Sequence, residues 1–123
     1  MECILEIART KEGDYYFKIT GEDKQVVAQS EEYETLATCK RAMHAVSHCI
    51  KAPVFEATPG AFWTGRAVYE IYETEGGYTF LLKGDYGEVL IYGSIFESMR
   101  ACRTAITAMI HMDMDHETEF EVF

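Results

Sequence analysis

Proline and cationic side chains are both scarce in this 123-residue chain: there are two prolines, and 11 Lys and Arg face 21 Asp and Glu, a formal net charge of −10 with histidines neutral. With 48% apolar and 26% charged residues, the shortage of proline excludes collagen-like and low-complexity chains and leaves enough apolar material for a buried core. The shortage of cations argues against phosphate-backbone binding as the main activity, since nucleic-acid readers concentrate Lys and Arg on one face. No apolar run approaches the roughly 18 residues of a membrane span. The opening Met1-Glu2-Cys3-Ile4-Leu5-Glu6 has neither the basic n-region nor the long h-region of a signal peptide, so the expectation is a cytoplasmic protein with no membrane association. Cys3, Cys39, Cys49 and Cys102 form no C-x-x-C pair and no zinc-ribbon spacing, which leaves reduced thiols as the reading. G-x-G-x-x-G, the phosphate-binding P-loop and G-x-S-x-G are missing as well, so no cofactor is expected.

What is present is an internal repeat, the feature that decides a fold reading when it occurs. Leu5-Glu6-Ile7 matches Tyr69-Glu70-Ile71, and after one residue is lost from a turn Tyr15-Tyr16-Phe17-Lys18-Ile19 matches Tyr78-Thr79-Phe80-Leu81-Leu82. From there Gly21 falls on Gly84, Val26 on Val89, Tyr33-Glu34-Thr35 on Phe96-Glu97-Ser98, Cys39 on Cys102 and His48 on His111 without a gap. Period-2 segments rich in aromatic and branched residues predict strands at Cys3–Arg9, Asp14–Thr20 and Gln25–Ser30, joined by Gly- and Asp-bearing turns that favour antiparallel hairpins. Leu36, Cys39, Met43, Val46 and Ile50 recur at helical spacing behind Thr35, a candidate N-cap, and Met99, Cys102, Ile106 and Met109 do so behind Ser98. Both central cysteines are therefore read as packing residues. Short alternating segments follow each helix, Pro53–Ala57 and Thr118–Val122. Each unit reads β-β-β-α-β, with repeat one at 1–57, a linker at 58–66 and repeat two at 67–123, together one domain.

The aromatic second strand Tyr15-Tyr16-Phe17-Lys18-Ile19, and the third strand running into a Ser-Glu-x-Tyr turn at Ser30-Glu31-Glu32-Tyr33 before the helix opens, resemble the YegP-like family, and the chain looks like a tandem member of it. The second unit keeps Gly87-Glu88-Val89 but has Tyr92-Gly93-Ser94-Ile95-Phe96 where the family pattern has the polar turn. The resemblance implies an α+β fold in which two units join in one antiparallel sheet, exchange their last strands and lay both helices on one face. It implies no established activity.

Alternation sends Tyr15, Phe17 and Ile19 toward the helices and Tyr16, Lys18 and Thr20 outward with Glu6, Gln25 and Gln29. The equivalent outer positions of the second unit, Tyr72, Leu81, Leu90 and Tyr92 among Glu70, Thr79, Lys83 and Glu88, are more apolar. Clustered Tyr and Leu with a polar border is the composition of an interaction surface. The first functional reading is therefore a small non-enzymatic module that binds a protein partner, or a second copy of itself, through those four residues. A fold-back of Phe62 or Trp63 from the turn-rich linker over the same patch is the structural alternative. The second functional reading rests on Asp113, Asp115, Glu117, Glu119 and Glu121, which alternate with other residues and would make a carboxylate row in a strand. Such a row suits an acidic decoy that occupies the basic groove of a nucleic-acid-binding protein, for example a phage or mobile-element antagonist of a host defence nuclease. A solvated edge kept soluble by charge accounts for the same pattern.

Enzymatic chemistry finds little support. His111-Met112-Asp113-Met114-Asp115-His116 brings two imidazoles and two carboxylates together, but in neither calcium-loop nor zincin spacing, so no metal is assigned. His48 and Cys49 are adjacent, and neighbouring helix side chains diverge by about 100°, which breaks a nucleophile–base pair. Lys40, Arg41, His44 and Lys51 on the first helix, and Arg100 and Arg103 on the second, form small basic faces within the acidic whole.

Overall fold

The computed structural model describes residues 2–56 and 65–112. Strands β1 (Ile4–Arg9), β2 (Tyr15–Thr20) and β3 (Val26–Gln29) precede helix α1 (Leu36–Cys49) and strand β4 (Val54–Glu56); then β5 (Val68–Thr74), β6 (Gly77–Lys83) and β7 (Val89–Gly93) precede helix α2 (Met99–Ile110). The strands form one seven-stranded sheet in the order β1-β2-β3-β7-β6-β5-β4. The expected strand at Thr118–Val122 and most of the 58–66 linker lie outside the described residues.

The expected all-antiparallel sheet needs one correction. Six strands pair antiparallel, but β4 runs parallel to β5, with Val54 opposite Tyr69, Phe55 opposite Glu70 and Glu56 opposite Ile71. Antiparallel neighbours are joined by tight turns, whereas parallel neighbours need a long crossover. Residues 57–67 separate β4 from β5 and supply that length. The sheet is mixed for this reason.

Register places Leu5, Ile7, Phe17, Ile19, Ala28, Ile91, Leu82, Phe80, Ile71 and Tyr69 on one face. They form a single buried cluster with Cys39, Met43, Val46 and Ile50 of the first helical segment and Cys102, Ala105, Ile106 and Met109 of α2, so both helices cover the same face. The two helical stripes therefore point inward as their spacing predicts. Thr35 and Ser98 cap the helices, their hydroxyls accepting from Thr38 N at 3.1 Å and Ala101 N at 3.0 Å. Around Phe80 the rings of Tyr69 and Phe96 stand at 6.0 and 6.2 Å, edge-on and stacked respectively, spacings at which aromatic quadrupoles attract.

Two register shifts break the simple alternation. Thr20 pairs with Val26 while Ile19 pairs with Ala28, and Lys83 pairs with Val89 while Leu82 pairs with Ile91. Val27 and Leu90 are thus extra residues at bulges, which bend the strand and upset the in-out pattern. Both are buried members of the core cluster, and Thr20, expected on the outer face, is buried too.

Candidate functional site

On the face away from the helices, the ladders align one residue from each of the seven described strands into a row that crosses the sheet. Its order is Phe55, Glu70, Leu81, Tyr92, Gln29, Lys18, Glu6, each directly opposite the next. Directly opposed side chains lie close enough to present one continuous surface. Leu81 is half-buried, while Tyr92 is 42% and Phe55 52% exposed. The row is polar on the β1–β3 side and carries its apolar groups on the β7–β4 side.

Beside Leu81 lies a compact polar group. The Tyr72 hydroxyl reaches both carboxylate oxygens of Glu70 at 3.0 Å, and Lys83 Nζ meets Glu70 Oε1 at 2.7 Å. Partial burial, then the adjacent Glu70 carboxylate, push the Tyr72 phenol up from its ordinary value. The hydrogen bond to Glu70 raises the Lys83 ammonium, so its charge is held firmly. This group gives the face a fixed pattern of one acceptor and two donors, with no activated nucleophile among them.

Three of the four expected face residues, Tyr72, Leu81 and Tyr92, are therefore brought together. Leu90 is not. At 7% exposure it belongs to the core, because the bulge opposite Lys83 adds a residue that strict alternation from Tyr92 does not count. Phe55 joins the face instead. Its own segment alternates, but its place depends on β4 lying beside β5, which local sequence does not specify. Phe62, Trp63, Asp113, Asp115, Glu117, Glu119 and Glu121 lie outside the described residues.

The helix side offers other chemistry. Cys39 and Cys102 are buried mid-stripe, and burial pushes the Cys102 thiol up to about 11. Cys49 is half-buried and its thiol is raised by burial, then by the carboxylates of Asp85 and Glu88. The exposed His48 meets His44 one turn earlier, Nε2 to Nε2 at 3.2 Å. Arg103 pairs with Glu56 of β4 at 3.0 Å, both side chains being about half exposed at 45% and 55%; such surface pairs contribute little. Among the described residues no three His, Cys, Asp or Glu side chains cluster as a metal site.

The described residues thus define an α+β protein with a mixed seven-stranded sheet, covered on one face by two helices. Residues 11–56 match the family described as Domain of unknown function (DUF1508). Two solved structures share the fold: the protein of unknown function yegP from E. coli, with a TM-score of 0.73 and 14% identity over 99% of this chain and 95% of that one; and a UPF0339 protein from Shewanella oneidensis, with a TM-score of 0.70 and 15% identity over 91% and 85%. No curated protein matches the chain. The resemblance to the YegP-like family read from the sequence is borne out by the domain match and the common fold, and neither brings a known activity with it. No helix among the described residues is long and apolar enough to cross a membrane.

Proposed function

We propose that this chain is a small non-enzymatic module that engages a protein partner through the outer face of β7, β6, β5 and β4. The observation that supports this most directly is the adjacent Leu81 and Tyr92 with Phe55 in the same cross-sheet row, bordered by the Tyr72–Glu70–Lys83 group. Aromatic and aliphatic anchors inside a polar border are the arrangement in which a few contacts carry most of an interface's free energy. The complementary partner presents an apolar centre and a donor or acceptor aligned with Glu70 and Lys83.

The test has two stages. Sedimentation of the wild type and of Leu81→Ala and Tyr92→Ala variants shows whether the partner is a second copy. Capture from native lysate then compares the same proteins at low and high salt. One partner, retained at high salt and lost with both variants, supports the proposal, because apolar contacts are not screened. Capture unchanged by both substitutions overturns it. A partner released by salt and lost on neutralising Asp113, Asp115 and Glu117 would favour the acidic-decoy reading.

We infer further that the chain arose by duplication of a β-β-β-α-β unit whose last strands are exchanged. In support, β1-β2-β3-α1 and β5-β6-β7-α2 repeat the same order, the same bulge position and the same bridge into the turn before the helix, Tyr15 to Tyr33 and Tyr78 to Phe96. The strand after α1 lies on β5, not on its own unit. If the exchange is mutual, removing residues 113–123 exposes the outer edge of β1, and its unpaired amides exchange faster. Unchanged exchange along β1 would count against it.

A further inference from the structure

The helix α1 turns Cys39, Met43 and Val46 inward. At about 100° per residue, His44 and His48 then stand roughly 130–170° from that stripe, on the solvent side. Both are exposed. Residues four apart on a helix are neighbours along one face, and here the two imidazoles meet, with ring centroids 4.7 Å apart and planes at 90°. Their Nε2 atoms are 3.2 Å apart.

That separation matches the bite of two ligands on one ion. Metal–imidazole bonds are about 2.0–2.1 Å long, so two nitrogens subtending roughly 90–110° at the metal stand about 2.9–3.4 Å apart. We propose that His44 and His48 form a two-imidazole site for a divalent late-transition-metal ion such as Ni²⁺, Cu²⁺ or Zn²⁺, with water completing the coordination. In the direct contact one Nε2 donates its hydrogen to the other. On metal binding that ring takes its Nδ1–H tautomer, so both Nε2 lone pairs face the ion and no net proton leaves the protein. Rotation about each exposed Cβ–Cγ bond redirects the rings.

The neighbourhood sets the selectivity. Lys40 and Lys51, one turn to either side, are exposed, and the stripe they share with the two histidines contains no carboxylate. On α1 itself oxygen-seeking Mg²⁺ and Ca²⁺ find no carboxylate, whereas imidazole suits the later transition metals. The lysines oppose any cation, so binding relies on the two coordinate bonds rather than on the field of the acidic protein. The site lies on the opposite side of the molecule from the proposed interaction face and does not depend on it.

Calorimetric titration of the full chain with NiCl₂ slightly above neutral pH tests the site, with MgCl₂ as the comparison and far-UV circular dichroism confirming that each variant keeps its helices. The expected result is one Ni²⁺ per chain, no response to Mg²⁺, and an affinity lowered about tenfold or more in both His44→Gln and His48→Gln. His111→Gln, at the C-terminal end of the other helix, keeps wild-type affinity. A wild type without Ni²⁺ binding, equal affinity for Mg²⁺, wild-type affinity in either α1 variant, or an equal loss in His111→Gln would each overturn the proposal.

Discussion

The hydroxyl of Tyr69 donates to the carbonyl of Ile50 at 2.7 Å, tying β5 to the C-terminal end of α1. Tyr69 has no exposed surface and Ile50 almost none, so the bond closes off a helix-end carbonyl that water cannot reach.

Tyr69→Phe therefore keeps the ring packing and leaves that carbonyl without its partner. An unsatisfied buried acceptor costs about 1–3 kcal/mol. Urea unfolding is expected to show a lower midpoint with an unchanged slope. An unaltered midpoint would mean that the carbonyl finds another donor.

Gly77 opens β6 with a φ of +140°, and a Cβ there would press on the Phe96 carbonyl. That oxygen accepts from Tyr78 N at 2.8 Å in the bridge leading toward α2. Gly77→Ala is expected to destabilise the protein by about 2 kcal/mol or more. Gly65→Ala is the comparison, since a Cβ at Gly65 meets nothing although its φ is +86°. It should cost less in the same thermal melts.

The four thiols should divide into two classes. Cys39 and Cys102 are fully buried, and desolvation disfavours the thiolate in both, whereas Cys3 and Cys49 are half-buried. Reaction with an aromatic disulfide reagent requires an accessible thiolate. Two thiols are expected to react in the native protein and all four after denaturation. Mass mapping that finds Cys102 among the native-reactive pair would contradict the described core.

Tyr33 gives the protein an alkaline limit. Burial, reinforced first by the Glu31 carboxylate, pushes its phenol up to about 12 from its ordinary value of 10.0. The folded state holds this proton more tightly than the unfolded chain, so the contribution is complete below about pH 10 and is lost as pH rises through about 12. Stability should fall across that window, and Tyr33→Phe should flatten the fall in denaturant titrations at stepped pH.

The helices were legible because their signals are local. Thr35 and Ser98 cap them, and Cys39, Met43, Cys102 and Ile106 fall at the spacing that a buried stripe requires. Among the described residues, strand positions were legible to within a residue or two for the same reason. Leu90 and Thr20 were not, because a bulge is a property of two strands: whether Lys83 faces one residue or two depends on its partner's path. Phe55 required knowledge of which strand β4 joins. The contact between His44 and His48 was written in their spacing of four, but His44 was read as part of a basic face and His48 as the counterpart of His111 and neighbour of Cys49, not as a pair.

The parallel ladder of β4 on β5 has a consequence for the continuity of the chain. The first half reaches across the sheet twice, through the β3–β7 seam, where Ser94 N bonds Val27 O at 2.9 Å, and through β4 at the far side of β5. A single backbone cut between Glu56 and Gly65 breaks neither ladder. The two pieces should remain together as complementing fragments, held as a non-covalent heterodimer that sediments as one species and comes apart only when both halves unfold.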